Sequence, residues 1–438
     1  MLKIHRMIKN KIKLFYTDNK FILNHSFISM FFSAIGMVLL VIQNIMIARF
    51  FGDYIYGIFS FTLNLFVILS IFSKFGIENF SSREIPKLLN SPSDLKGVYY
   101  FSIIRTILFS CLIILFIYLC SLFFESFNLD FKTHIFIIGI WFLFRVIVEV
   151  FSYLFQSINK TISSRLILSI LPPIFSIIFL IINNKYNYFI FDFKLIFQII
   201  MLSYFMSFIL ILSFSTPFHI KSKEVARFNI KKWMKTSFNL MILSGLFLLL
   251  SRINPLILAR YYPIEFVGYY TAVINISALI SFGLHAANKI LAPKLSEYYH
   301  NNKMDLFQKN LTLSARIGFI FSIILVVPFL IIPNHILGLY GNNFTQFSNV
   351  LIILSFGHII NSFCGPVGLS MIMTGNEKIV ALYVFISLMI NVILSFILIP
   401  IFGVTGLAVS NCIGMICWNI MLVYYAKNKY NYRTTILA

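Results

Sequence analysis

Long apolar stretches alternate with short polar ones along almost the whole chain. An α-helix needs about 20 consecutive, mostly apolar residues to cross a bilayer, and by that rule the sequence predicts twelve transmembrane helices. The fifth contains Leu171-Pro172-Pro173, so we expect a kink there, because proline cannot donate a helical hydrogen bond. The predicted helices cover residues 26–48, 57–77, 98–120, 133–156, 166–183, 194–215, 236–258, 267–288, 312–333, 347–373, 377–400 and 404–426.

The segment around the first predicted turn returns half a chain later. Residues 48–60 and 259–271 match at an offset of 211 residues, and the informative pairs are Ala48-Arg49 with Ala259-Arg260, Gly57 with Gly268, and Asn64 with Asn275. Six spans in each half start both halves on the same side, so the repeat axis runs along the membrane normal. We therefore expect two six-helix lobes, with the first and seventh helices as symmetry mates lining the cleft between them.

Composition and charge fix the class and the orientation. The chain is 59% hydrophobic and 11% charged, whereas a soluble protein carries roughly a quarter charged residues. Of the 35 basic residues, 27 fall on one side of the predicted topology, which predicts a multi-pass membrane protein with both termini cytoplasmic. The opposite side is balanced, with Arg49, Lys132, Lys185, Lys194 and Arg260 against Asp53, Glu125, Asp130, Asp192 and Glu265.

The net charge of +21 is therefore topogenic, and we predict no nucleic-acid partner. The predicted organisation has five parts. They are a basic cytoplasmic segment (1–25), an N-lobe (26–215), a basic amphipathic cytoplasmic linker (216–235), a C-lobe (236–427) and a cytoplasmic tail (428–438).

The sequence lacks the usual catalytic motifs. It has no GxxxxGK[ST] loop, no HExxH and no Gly-x-Ser-x-Gly, so nothing indicates ATP binding or a hydrolase. All five cysteines lie in apolar segments without a CxxC pair, which suggests neither a disulfide framework nor a zinc site. We predict a transporter with no cofactor, and proton or sodium coupling stays open.

Four charged residues lie well inside predicted spans: Arg105, Arg145, Glu149 and Arg252. Such residues are costly in lipid and usually face a cavity. Glu149 follows Arg145 at the spacing of an intrahelical ion pair, so the two either neutralise each other or contribute to a site. A variant that combines Arg145→Ala with Glu149→Gln is expected to leave no uncompensated charge. Arg105 and Arg252 either snorkel to the two surfaces or face a cavity.

Several polar side chains in the spans have two readings. His285 and His358 are either bonding partners between helices or proton carriers. Tyr54, Tyr56, Tyr269 and Tyr270 either form an interfacial belt or stack on sugar rings. The amides that either line a polar lumen or join helices are Gln43, Asn44, Asn64, Asn254, Asn275, Asn391 and Asn411.

Four motifs carry a resemblance to a known family. They are Ala48-Arg49-Phe50-Phe51-Gly52 with Tyr56-Gly57, Ala259-Arg260 with Val267-Gly268-Tyr269, Leu339-Tyr340-Gly341-Asn342-Asn343-Phe344, and Ile399-Pro400-Ile401-Phe402-Gly403 followed by Val404-Thr405-Gly406-Leu407-Ala408. In order and spacing the chain resembles the polysaccharide-transporter family of the multidrug/oligosaccharidyl-lipid/polysaccharide flippase superfamily. Within that family it looks like an O-antigen translocase of lipopolysaccharide biosynthesis.

The resemblance implies a MATE-like, alternating-access flippase. Its cargo would be an oligosaccharide repeat unit on undecaprenyl diphosphate, moved from the inner to the outer leaflet, with membrane lipid, a polysaccharide polymerase and a chain-length regulator as partners. The family's lumens tend to be cationic, and the spans here hold three arginines against one glutamate. The candidate cargo-binding residues are Arg145, Arg252, Arg49, Arg260, Arg105 and Glu149.

Two other functions compete with this one. A cation-coupled multidrug exporter of the same superfamily commonly carries a carboxylate in its first helix, and residues 26–48 hold no Asp or Glu. A membrane glycosyltransferase or repeat-unit polymerase would need a long outer loop with catalytic residues, and no predicted outer loop is long enough.

Overall fold

The computed structural model describes residues 2–88, 91–123, 129–158, 160–186, 188–214 and 225–437. Side chains are described from residue 28 onward, except at 122–133, 213–214, 289–290 and 292–293. Predictions about the side chains of the basic N-terminal segment, and about Glu125, Asp130, Lys132, Lys221, Lys223 and Lys289, fall outside this part of the chain.

Helices make up nearly all of the described chain, which confirms the all-α prediction. They are α1 (Leu2–Lys74), α2 (Ile77–Glu84), α3 (Pro92–Phe123), α4 (Leu129–Ser157), α5 (Thr161–Arg165), α6 (Leu171–Tyr186), α7 (Phe193–Phe214), α8 (Ile230–Leu258), α9 (Ile264–Ser277), α10 (Phe282–His300), α11 (Met304–Ile331), α12 (Pro333–Gly338), α13 (Ser348–Cys364), α14 (Val367–Met373) and α15 (Glu377–Tyr430). Short 3₁₀ turns at Ile85–Leu88, Ala278–Ser281 and Asn342–Phe347 join some of them.

Ten helical segments in the described residues are long and apolar enough to cross a membrane. Two of them, Ile28–Leu88 and Glu377–Tyr430, have 61 and 54 residues, about twice or more the length of one span. Between its two apolar arms, each has a glycine with a left-handed backbone, Gly52 at φ 77° and Gly403 at φ 63°.

Both long segments fold back at that glycine. Ser395 Oγ lies 3.1 Å from Ser410 Oγ, although a straight helix would separate these residues by roughly 22 Å. Tyr56 likewise donates to Asn44 Oδ1 at 3.3 Å across Gly52. Counting the arms of both hairpins separately reproduces the predicted number of spans. That each arm crosses the membrane stays a prediction.

The two copies of the repeat have different backbone conformations at their turns. Gly52 makes the first turn alone, because glycine adopts a positive φ without a Cβ clash. At the matching position the second copy has Pro263, whose φ is −52° and which cannot adopt that conformation. The second turn therefore takes residues 259–263, and Pro263 precedes the first residue of α9.

The expected irregularity in the fifth predicted span lies just before its prolines. Residues Leu166–Ile170 form a π-helical turn between α5 and α6. Pro172 and Pro173 follow this turn at the start of α6. The π-turn thus immediately precedes two residues that have no N–H to donate to the helix.

Repeat-related residues meet where the lobes touch. A Cβ on Gly57 would lie 2.4 Å from the Ile264 carbonyl oxygen, and one on Gly268 would lie 3.1 Å from Gly57 Cα. Residues related by a two-fold rotation touch each other only near its axis. The contact between Gly57 and Gly268 therefore places the axis between the second arm of α1 and α9.

The apolar cores show how the lobes are joined. One cluster combines N-lobe residues such as Phe51 and Tyr56 with C-lobe residues such as Tyr270 and Phe344. A second cluster lies in the N-lobe and includes Trp233 from the start of α8, and a third lies wholly in the C-lobe. We call the end that carries the turns at Gly52 and Gly403 the hairpin face, and the opposite end the linker face. The lobes share a core toward the hairpin face.

At the linker face, two segment boundaries in the structure differ from the predicted ones. The start of α8 at Ile230 lies inside the predicted 216–235 linker, where Trp233 is 5% exposed and packs on Phe101 of α3. The tail after α15 folds back on the C-lobe. Its Tyr432 is 2% exposed, and the Arg433 N–H donates to Gln308 Oε1 at 2.8 Å.

Candidate functional site

A buried ion triad lies in the N-lobe. Arg145 and Glu149 lie one turn apart on α4, and Arg145 Nε donates to Glu149 Oε1 at 3.1 Å. Lys74, the last residue of α1, approaches the other oxygen, with Nζ 3.0 Å from Glu149 Oε2. All three side chains are mostly buried, with 15%, 11% and 5% of their surface exposed for Arg145, Glu149 and Lys74.

The triad bears on two expectations. Lys74 is one of the 27 basic residues on the predicted cytoplasmic side, and the structure buries its side chain against Glu149. The combination of Arg145→Ala with Glu149→Gln was expected to leave no uncompensated charge. It would in fact leave Lys74 buried without its partner, so that variant cannot separate a structural pair from a binding arginine.

Arg252 of α8 lies between the two halves of the repeat. Its Nη1 donates to Asn64 Oδ1 at 3.4 Å and to Asn275 Oδ1 at 3.3 Å. These asparagines are the repeat-related pair, so Arg252 lies near the pseudo-two-fold axis and contacts both lobes. It is partly buried and does not snorkel to a surface.

Arg145 and Arg252 come from different lobes and face a common region. Their like charges are close enough to repel each other. Arg145 has one acidic partner, Glu149, and Arg252 has none among the described residues. Arg145 also has Trp141 against its guanidinium, 5.7 Å from the ring centroid, and its Nη1 has no hydrogen-bond partner in the described part of the chain. We call Lys74, Arg145, Glu149 and Arg252 the cleft cluster.

Arg105 is buried between α3, the end of α1 and α8. It is 5% exposed and donates to Ser237 Oγ at 3.1 Å and to the Lys74 carbonyl oxygen at 2.9 Å. The rings of Phe75 and Phe101 lie against its guanidinium. Of the two interpretations of Arg105, snorkelling to the inner surface is therefore not what the structure shows. Arg105 joins α3 to the end of α1 and, across the lobes, to α8.

At the hairpin face, the family motif that begins at Ala48 contacts the family motif that begins at Leu339. Arg49 donates from Nε to the Leu339 carbonyl at 2.6 Å and from Nη2 to the Gly338 carbonyl at 3.0 Å. Asp53 accepts from Tyr269 at 2.7 Å and from Asn343 Nδ2 at 2.6 Å. Residues in or beside three of the four motifs that carry the family resemblance thus form one contact between the lobes.

The tyrosines at this face belong to that contact. Tyr56 is 0% exposed, and its ring packs against Tyr340 and Phe344. Burial raises the pKa of the Tyr340 phenol, so it stays neutral. Tyr269 and Tyr270 are also buried, whereas Tyr54 is 46% exposed. Stacking on sugars by the three buried tyrosines would require this face to open.

Arg260, the repeat mate of Arg49, is exposed. Within the described residues its side chain makes no hydrogen bond or ion pair of the kind made by Arg49, and the segment corresponding to Gly338 and Leu339 in the first repeat lies outside them. The two outer arginines are therefore not equivalent in the structure.

The intramembrane amides and His358 join helices to one another. Gln43 donates to Ser176 Oγ at 2.9 Å, and Asn411 to the Tyr270 hydroxyl at 3.4 Å. Asn254 and Asn391 exchange reciprocal amide bonds at 3.4 and 3.0 Å. His358 Nδ1 shares a hydrogen with Ser281 Oγ at 2.8 Å, and Ser281 also accepts from Asn361.

The chemistry that this arrangement favours is anion binding. No group of three or more His, Cys, Asp or Glu side chains in the described residues could hold a metal ion. The cleft cluster has three cations against one carboxylate. Lys74 is the member that sequence reasoning missed, because it lies at a span end where basic residues are ordinary. Gly76, two residues further on, was the available sequence signal of a helix end, and in the structure Phe75 and Gly76 form a left-handed turn there.

The fold and the cleft cluster together define a multi-pass membrane protein of the two-lobed transporter type. Solved structures share this fold. The lipid II flippase MurJ in an inward closed conformation aligns with a TM-score of 0.67 at 17% identity, covering 91% of this chain and 87% of that one. An inward-facing multidrug resistance MATE family transporter of the MOP superfamily aligns with a TM-score of 0.70 at 10% identity, covering 93% and 98%.

The chain belongs to the polysaccharide biosynthesis protein family, whose sequence model matches residues 22–299. An uncharacterized membrane protein of Methanocaldococcus jannaschii, MJ1068, is 25% identical over 399 residues, which is 85% of this chain and 77% of that protein. The probable low-salt glycan biosynthesis flippase Agl15 of Haloferax volcanii is 26% identical over 167 residues, 37% of this chain and 34% of that protein.

Proposed function

We propose that the protein is a flippase for undecaprenyl-diphosphate-linked oligosaccharide repeat units of O-antigen or a similar surface polysaccharide. It moves them by alternating access from the inner to the outer leaflet of the cytoplasmic membrane, and both of its termini are cytoplasmic. The observation that carries the proposal is the cleft cluster, an excess of positive charge between two lobes inside a membrane fold.

The cargo's diphosphate explains why such a cluster is needed. A diphosphate is the strongly charged part of a lipid-linked sugar, and its passage through a low-dielectric region needs a fixed counter-charge. Arginine suits this role because its planar fork bonds two oxygens at once and stays charged. Arg145 and Arg252 supply one such fork from each lobe, and Arg49 and Arg260 lie at the hairpin face, where the group would leave.

The comparisons support the same class. The family model concerns polysaccharide biosynthesis, and two similar proteins are named as flippases, one of a glycan pathway and one of lipid II. With no nucleotide loop in the sequence, transport would be driven by mass action or by a proton or sodium gradient, and a polymerase with a chain-length regulator would receive the flipped units. Glu149 has two cationic partners, which disfavours it as the coupling carboxylate of a drug exporter.

Complementation of surface-glycan display tests the proposal, in cells whose own copy of the gene is deleted. Arg145→Lys should retain part of the function because the charge remains, whereas Arg145→Ala and Arg252→Ala should abolish display at normal membrane levels. Arg83→Ala is the matched control, because Arg83 is an arginine near the linker face with a side chain that is 56% exposed. Full display with either cleft alanine variant would refute this cargo site.

A further inference from the structure

We propose that Lys74 is a positioning residue of the cargo site, which acts by taking up the charge of Glu149 so that Arg145 keeps a positive charge for the cargo. This inference rests on the proposed function and adds a residue to it. Lys74 lies on α1, outside the helix that carries Arg145, and its contact with the site passes wholly through Glu149.

The geometry divides the two oxygens of Glu149 between two cations. Oε1 accepts from Arg145 Nε at 3.1 Å, and Oε2 lies 3.0 Å from Lys74 Nζ. Arg145 is thereby held at its Nε edge, while its Nη1 has no partner in the described residues. A guanidinium that is fixed at one edge and unpaired at a terminal nitrogen is prepared for a second anion.

Lys74 determines the net charge of the triad. With Arg145 and Glu149 alone the pair would be neutral, and an incoming anion would have to compete with Glu149 for the one cation of that pair. Lys74 leaves the triad with one net positive charge. Glu78 and Arg105 lie within electrostatic range of Lys74 or of each other, and including them adds one charge of each sign. The excess of one positive charge therefore holds for the wider group.

The triad also links the cargo site to a contact between the lobes. When an anion draws Arg145 away from Glu149, Lys74 remains to hold that carboxylate, so the exchange leaves no buried charge alone. The carbonyl of the same Lys74 accepts from Arg105, which also donates to Ser237 at the start of α8. Lys74 thus joins the carboxylate of the cargo site to Arg105, the α3 residue that contacts α8 of the other lobe.

Trp141 supplies a reporter for the test. Its ring lies 5.7 Å from the Arg145 guanidinium, and the chain has only two other tryptophans, Trp233 and Trp418, which can be replaced by phenylalanine. Fluorescence titration of the purified full-length protein with inorganic diphosphate then measures binding beside Arg145. Lys74→Gln should weaken diphosphate binding about tenfold, because a fixed charge near the site is lost.

Two double variants separate the proposed role from a general field effect. Lys74→Gln with Glu149→Gln should restore binding, since Arg145 regains an uncompensated charge. Lys74→Gln with Glu78→Gln restores the same total charge without touching the partner of Arg145, and it should stay weak. Rescue by both, rescue by neither, or unchanged binding by Lys74→Gln alone would each overturn the proposal.

A further variant covers the case in which Lys74→Gln does not fold. Glu149→Gln alone releases Arg145 from its partner and should tighten diphosphate binding, and unchanged or weaker binding would overturn the role of Lys74. Arg145→Ala separates a failure of the proposed cargo site from a failure of the role of Lys74. Normal transport by Arg145→Ala refutes the proposed cargo site, whereas inactive Arg145→Ala with wild-type binding by Lys74→Gln refutes only the present inference.

Discussion

The close contact of Gly57 with the start of α9, which we call the crossing, leads to a prediction about how the lobes separate. An added methyl group at Gly57 would lie 2.4 Å from the Ile264 carbonyl oxygen, 2.7 Å from its carbon and 2.9 Å from the Glu265 nitrogen. All three atoms are backbone, so no side chain can rotate away. Gly57→Ala therefore forces α9 to recede by about 1 Å to reach ordinary van der Waals contact.

The steric clash raises the free energy only of the state in which the hairpin face is closed. Overpacking of this kind costs about 1–3 kcal/mol. Alanine is the better helix former by about 1 kcal/mol, but that gain is the same whether the lobes touch or not. Only the contact energy changes the opening equilibrium, so the population with an open hairpin face should rise about 5- to 150-fold.

Thiol labelling measures that population. In a background without the five native cysteines, Thr271→Cys places a thiol between the lobes at a position that is 1% exposed. Its labelling rate in the purified protein should rise in proportion to the open population. Ser355→Cys, at a fully buried position within the C-lobe, reports global unfolding and should label equally slowly with and without Gly57→Ala.

Two other glycines calibrate the result. Gly268→Ala should have an intermediate effect, because its methyl group would meet the Tyr56 ring at 3.0 Å and Gly57 Cα at 3.1 Å. Gly338→Ala, on the same face, should have none, since its nearest neighbour would be the Thr345 methyl at 3.8 Å. If Gly57→Ala labels no faster than Gly338→Ala, the crossing is not a contact that must open.

Two further predictions concern topology and the polar pair of the C-lobe. Reporter fusions at Asn128, Asn187 and Asn343 should read outside and fusions at Asn159, Ser222 and Asn302 inside, and an outside signal at Ser222 would contradict two lobes of six spans each. Asn391→Leu should destabilise the protein by about 1–3 kcal/mol, because it leaves the buried Asn254 amide without its partner. The double change of Asn254 and Asn391 to leucine should cost less than the single change, as measured by thermal unfolding in detergent; a larger cost would mean that the pair is not the unit of stability.

The positions of the helices and their local breaks could be predicted from the sequence. Apolar length marks a span, and a glycine between two apolar runs marks a turn, because both effects act within a few residues. The ion pair of Arg145 with Glu149 was predictable for the same reason, since i,i+4 spacing on a helix brings two side chains together.

The repeat predicted a relation between the halves but could not supply the contacts between them. That Asn64 and Asn275 both accept from Arg252 follows from how the second arm of α1, α8 and α9 meet. The docking of Asp53 on Asn343 likewise joins residues far apart in the chain. Such contacts depend on the packing of the lobes, which local spacing does not encode.

The sequence alone determined an all-helical membrane protein with an internal repeat and arginines within its spans. The tertiary structure decided which of those charges act together. It placed Arg105 in a contact between lobes and brought Lys74 to the carboxylate of Glu149. Whether a charge near the end of a span faces water or a buried partner depends on the neighbouring helix, and that neighbour is fixed only when the helices pack.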